Sequence, residues 1–171
     1  MDIKGKIERE LSGLEKLAAN IPGYQGYKEK EVRREADKVL RLHLAQQFQE
    51  QRSRLNQVQV QLTDTGRIAG IVTLERAMMK LQLLIDRLKT ASYGHAGLFD
   101  AVKVKEKELD ALYAFDSALS DGVDGVATLI DQLSEAAATE QETGGLANKL
   151  VATLEELNST FSQRQDVILE S

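Results

Sequence analysis

Lys28–Leu62 (KEKEVRREADKVLRLHLAQQFQEQRSRLNQVQVQL) decides the fold, because 35 consecutive residues contain no glycine, no proline and no break in a helical apolar pattern. Val32, Ala36, Val39/Leu40, His43/Leu44, Phe48, Leu55, Val58 and Leu62 recur at spacings of three and four. At 1.5 Å per residue such a helix is roughly 50 Å long, too long for a compact sphere and suited to an elongated bundle. Gln51 occupies one stripe position and needs a hydrogen-bond partner if it is buried.

On its C-terminal side, Thr63–Gly66 reads as a short turn. A third helix follows, with Ile68, Ile71/Val72, Met78/Met79, Gln82, Ile85 and Leu88 on one stripe. Leu74, Leu81 and Leu84 widen its apolar face, which predicts more than one neighbour. So short a turn makes the second and third helices an antiparallel pair. After a glycine-aromatic segment, Tyr93–Val104 (YGHAGLFDAVKV), a fourth helix uses Leu109, Leu112/Tyr113, Leu119, Val126, Ile130 and Leu133. Gly122 and Gly125 weaken its middle by about 1 kcal/mol each, so a kink, a close helix crossing or a short break is expected there. Thr139–Gly145 is a turn, and a last helix carries Leu150, Leu154, Leu157, Phe161, Arg164 and Ile168.

On the N-terminal side, Ile3, Ile7, Leu11, Leu14, Ala18 and Ile21 form the stripe of a short amphipathic helix that Pro22 ends. The expectation is all-α: one domain over 1–171, an elongated antiparallel four-helix bundle of two hairpins, 28–89 and 105–170, with an additional N-terminal amphipathic helix over 1–21. Chain direction places Ile21–Tyr27 (IPGYQGY) and residues 93–104 at the same end.

Composition narrows the chemistry. The chain has no cysteine, hence no disulfide and no thiolate site, which suits a reducing compartment. Without a secretory h-region or an apolar run of about 18 residues, a soluble cytoplasmic protein is expected. The net charge of −5 is unevenly spread. Residues 28–89 carry thirteen Lys/Arg against eight Asp/Glu, and residues 104–171 carry four against fourteen. A basic hairpin packed beside an acidic one accounts for this, as does a surface that steers a charged partner.

The two histidines, His43 and His95, lack the spacing of any metal motif, and Asp116, Asp121 and Asp124 read as solvated helix surface, so neither metal nor cofactor is expected. In Lys28–Arg41, acidic residues interleave the basic ones. Glu29–Arg33, Arg33–Asp37 and Asp37–Arg41 form an i,i+4 ladder that reads as a solvated face, and nucleic acid is not an expected partner.

The candidate interaction or ligand end comprises Tyr24, Tyr27, Arg34, Tyr93, His95, Phe99 and Asp100. His95 oriented by Asp100 has the chemistry of an acid or base, but no nucleophile is placed to complete a mechanism, so no catalytic residue is assigned. The competing reading is structural: Gly23 and Gly26 let the tyrosines fold back on the bundle, and Leu98, Phe99, Val102 and Val104 cap its open end.

Gly23–Arg34 (GYQGYKEKEVRR) and Tyr93–Val104 resemble segments of uncharacterised, conserved-hypothetical all-helical prokaryotic proteins. The resemblance implies an all-helical fold and carries no activity and no catalytic residues. In architecture, long hairpins behind an amphipathic helix are also similar to membrane-remodelling proteins of the phage-shock and ESCRT-III type.

The functional expectation is a non-enzymatic protein–protein interaction or scaffold bundle, self-associating through the apolar faces of its third and fifth helices or binding another protein. Two alternatives stand beside it: a peripheral membrane or envelope-stress factor acting through residues 3–21, and a small-ligand binder or enzyme at the glycine-aromatic end.

Overall fold

In the computed structural model, the described residues are 14–29, 32–91 and 106–170. They form a short helix α1 (14–20) and four long ones, α2 (Arg33–Asp64), α3 (Ile71–Thr90), α4 (Glu106–Ala138) and α5 (Gly144–Glu170). The fold is the all-α bundle expected from the periodicity, with α2·α3 and α4·α5 as antiparallel hairpins. Packing across the hairpins pairs α2 with α4 and α3 with α5, and each of these pairs runs in one direction. Among the described residues, α3 and α4 are therefore diagonal to each other.

α2 begins five residues later than the apolar pattern indicates. The Tyr27 backbone is already committed elsewhere: its N–H donates to the Tyr113 hydroxyl (2.7 Å) and its carbonyl accepts from Arg33 Nε (2.6 Å). These bonds hold the Tyr27 backbone away from α2, whose N-cap is Val32. At the other end, Gly66 and Gly70 both have positive φ (71° and 89°), and α3 starts only at Ile71 rather than with Ile68.

The core is aliphatic, with Leu17, Ile21, Leu40, Leu44, Phe48, Leu55, Leu62, Leu74, Leu81, Leu84, Ile85, Leu88 and the whole α5 stripe buried. Two expected stripes shift. In the N-terminal segment Leu14 and Ile21 pack on the core as expected, but Leu17 takes the place of the exposed Ala18. In α3, the core face is Leu74, Ala77, Leu81, Leu84, Ile85 and Leu88, while Ile68, Val72 and Met79 face outward. Gln51, half-buried, accepts from Arg54 Nη1 at 2.7 Å and so has its partner.

α4 is unbroken through Gly122 and Gly125. Of the three expectations for SDGVDG, the close crossing is the one observed: a Cβ at Gly122 would lie 3.2 Å from Leu157 Cγ on α5, whereas Gly125 meets nothing within 4 Å. The unequal charge of the hairpins is matched across their seam, where Arg54 meets Asp131 and Lys80 meets Glu155 (3.0 Å). Arg87 also crosses it, donating to the Asn158 carbonyl (2.8 Å) and Ser162 Oγ (2.7 Å) while lying 4.9 Å over the Phe161 ring.

Candidate functional site

The bundle end where α2 and α4 start and α3 and α5 finish holds the largest concentration of buried polar groups. Gly23 and Gly26, at φ 79° and 77°, turn the chain so that Tyr24 and Tyr27 point inward, 5% and 0% exposed. Their rings meet edge-on, with centroids 6.0 Å apart, and Tyr27 stacks at a tilt against Tyr113 at 5.2 Å. Gly26 is required twice over, since a Cβ there would lie 2.5 Å from Leu14 Cδ1 and 2.7 Å from the Tyr113 hydroxyl.

Beneath the tyrosines lies Arg164, fully buried on α5. Its Nε donates to Asp116 Oδ1 (2.5 Å), and its Nη2 donates to Asp37 Oδ1 and to the Tyr27 hydroxyl (3.0 Å). The Tyr27 hydroxyl donates to Asp116 Oδ2 at 2.6 Å. Asp37 Oδ2 accepts from Arg41 Nε at 2.8 Å, and Arg41 Nη1 donates to the Leu88 carbonyl at 2.7 Å, satisfying the C-terminus of α3. Two carboxylates and two guanidiniums thus balance in charge and tie together α2, α3, α4, α5 and the N-terminal segment.

Burial pushes the Asp116 carboxyl above the ordinary carboxylate range, while Arg164 and the Tyr27 hydroxyl pull it back. Burial likewise raises the phenols of Tyr27 and Tyr24, with the Asp116 charge adding to the effect. Arg164 remains the charge that makes ionised Asp37 and Asp116 tenable in the core.

Here the structure corrects two readings of the sequence. The ladder Arg33–Asp37–Arg41 is not a solvated face, because all three side chains are buried, at 5%, 2% and 8%. Asp116 is not helix surface either, being 0% exposed, although Asp121 and Asp124 are exposed as expected. α2 is flanked by both α3 and α4, so its buried arc is wider than one apolar stripe and takes in these positions. Arg164 did leave a signal, since it occupies a core position in the α5 stripe. Asp37, Arg41 and Asp116 left none, because polar residues at helical spacing look alike on a wet face and at a buried junction.

Of the expected site residues, Tyr24 and Tyr27 come together in this cluster, and Arg34 is exposed on the first turn of α2. Tyr93, His95, Phe99 and Asp100, and the proposed cap of Leu98, Phe99, Val102 and Val104, lie outside the described residues. Three polar atoms at this end are buried without a partner of acceptable geometry among the described residues, the Tyr24 hydroxyl, Arg33 Nη1 and Glu108 Oε2. The carboxylates of Asp37 and Asp116, by contrast, are already occupied by arginine. Among the described residues, no group of three or more histidine, aspartate or glutamate side chains is placed to hold a metal ion.

A second feature lies on the outside. Ile68 (73% exposed), Val72 (70%), Met79 (73%) and Leu83 (51%) follow one another along the outer face of α3 and the turn before it. This face is opposite the one that enters the core. α5 contributes no comparable surface, because its stripe is consumed by the core.

No family model, curated protein or solved structure matches this chain. Among the described residues, no helix is long and apolar enough to cross a membrane.

Proposed function

We propose that this protein is a non-enzymatic protein–protein interaction or scaffold bundle, and that its contact surface is the outer face of α3. One observation carries the reading: Val72, Met79 and Leu83 sit half to three-quarters exposed on the side of α3 opposite the face that fills the core, and Ile68 is exposed in the turn before it. Single exposed apolar residues need no explanation, but three on one side of a helix are a surface that gains by being covered. The polar cluster at the tyrosine end supports a structural role, since the charges of Asp37, Arg41, Asp116 and Arg164 are satisfied by one another.

The test is a photo-activated cross-linking residue at Val72 or Met79, with exposed Gln57 on α2 as the control position. Adducts to protein at 72 and 79 but not at 57 are expected. Equal labelling at all three positions, or none, overturns the proposal.

The membrane alternative is weakened by the burial of Leu17 and Ile21 against the bundle, which commits that part of the N-terminal helix to docking. The small-ligand alternative keeps one supporting observation, the unpartnered Tyr24 hydroxyl and Arg33 Nη1. Titration with inorganic phosphate and with acetate, followed by amide NMR, tests it. Shifts confined to residues 24–36 support a ligand at this end, and their absence for both anions removes it.

A further inference from the structure

We infer that the end of the bundle where α3 and α5 begin is a binding site for a zwitterionic small molecule of the α-amino acid class. The inference goes beyond the contact surface on α3 and does not depend on it.

α3 and α5 pack against each other in parallel, so their N-termini open side by side. A Cβ at Gly70, the N-cap of α3, would lie 3.5 Å from the Thr143 hydroxyl and 3.9 Å from Gly144 Cα at the start of α5. A cleft of about 530 Å³ lies at these two starts, a volume within the range of small-molecule sites.

Neither N-cap residue caps its helix with a side chain. Gly70 has none to offer. Thr143 stands in the N-cap place of α5, and its carbonyl accepts from the Ala147 N–H at 2.9 Å. Yet its hydroxyl bonds to no described residue, although Thr143 is only 4% exposed and lines the cleft. A threonine at that place ordinarily spends its oxygen on the helix's own N–H groups. Here the hydroxyl and the first-turn N–H groups of two helices are left to one space. Such donors hold a carboxylate or phosphate at a helix N-terminus.

The surrounding charges choose between ligands. Each helix start carries about half a positive charge. Arg67 adds one more, held in place by the carbonyls of Ala137 (2.9 Å) and Gln141. Glu140 and Glu142 line the same cleft, exposed and without an ion pair among the described residues. Glu142 Oε1 sits beside the start of α5, 3.5 Å from where a Cβ of Gly144 would stand. The two signs nearly cancel, so a lone anion loses at the carboxylates much of what it gains at the helix starts. A molecule carrying both signs gains at both. In an α-amino acid a single carbon joins the two groups, so a carboxylate on the helix starts sets its ammonium beside Glu142. Ile68 and Ala69 give the cleft its apolar wall, which suits an aliphatic side chain.

Amide NMR of the full chain, titrated with L-valine, sodium acetate and ethylammonium chloride at matched ionic strength, tests the inference. L-valine is expected to shift residues 66–73 and 140–147 and to saturate in the millimolar range. Acetate and ethylammonium should bind about tenfold more weakly, since each meets one sign alone. Glu142→Gln, at an exposed position, should weaken L-valine about three- to tenfold and leave acetate no weaker. Thr143→Val should weaken both L-valine and acetate, with circular dichroism confirming that the variant is folded. If it does not fold, Glu142→Gln decides alone. Any of three results overturns the inference: no saturable shift with L-valine, acetate binding as tightly as L-valine (an anion site only), or L-valine affinity untouched by Glu142→Gln. Cross-linking at Met79 reads the α3 surface separately, so either proposal can fail without the other.

Discussion

Arg164 occupies a position between Phe161 and Ile168 that a leucine could fill, yet its guanidinium holds Asp37 and Asp116 in the middle of the bundle. Removing one member of a buried charge set costs more than the set contributes, because its partners remain charged in a dry site. Arg164→Met is expected to destabilise by about 3–5 kcal/mol in urea unfolding. Replacing Arg164 and Asp116 together with apolar residues, which leaves Asp37 paired with Arg41, should recover much of that loss, and a double variant weaker than the single one would refute the account. Asp116 also gives a sign to the acid limb. Its folded pKa is raised, so the folded chain binds this proton more tightly than the unfolded chain. Its contribution to stability therefore grows as the pH falls from the raised value towards about 3.9, where the unfolded carboxyl titrates. Across that window the stability of the wild type relative to Asp116→Asn should rise with falling pH. A gap that narrows would mean that Arg164 outweighs burial.

At the scale of elements, α4 shows how two nearby glycines can serve different ends. Gly122 lies where α4 touches Leu157 of α5, and Gly125 faces open space. Gly125→Ala should stabilise by about 1 kcal/mol through helix propensity alone. Gly122→Ala gains the same propensity but drives a methyl into Leu157, and a net loss of about 1 kcal/mol is expected. Thermal unfolding of the pair checks this, and equal effects would rule out a close crossing at 122. The helix ends follow one pattern. Arg41 satisfies the Leu88 carbonyl of α3, and Arg67 donates to the Ala137 carbonyl (2.9 Å) near the end of α4. At both ends the arginine adds to the helix's own threonine, Thr90 on the Asp86 carbonyl and Thr139 on the Glu135 carbonyl.

At the scale of the molecule, the N-terminal segment is fastened chiefly through Tyr27. Its hydroxyl joins the Arg164–Asp116 pair, and its N–H and carbonyl are held by Tyr113 and Arg33. Lys16 adds an exposed pair with Asp121, worth at most about 1 kcal/mol. Tyr27→Phe removes the hydroxyl alone and leaves Asp116 short of a donor, a loss of about 1–3 kcal/mol. If the segment opens as a unit, hydrogen exchange in residues 14–29 should quicken in that variant while the middle of α2 and α4 stays protected. Uniform acceleration across the bundle would show instead that segment and bundle unfold together.

The four long helices, the hairpin turns and the place of Tyr24 and Tyr27 at one end of the bundle were legible in the sequence, although α2 starts five residues late, because apolar spacing and the positions of glycine and proline are local properties. The fold-back at Gly23 and Gly26 could be read for the same reason, as could the core position of Arg164. Which helices lie diagonal was not legible, nor which face of α3 turns inward. Both depend on how hairpins of similar apolar content pair, and an apolar stripe does not say what covers it. The same limit hid Asp37, Arg41 and Asp116: a charge ladder on an isolated helix is a solvated face, and it becomes a buried network only when α3, α4 and α5 close over it and Arg164 arrives from the far side of the core.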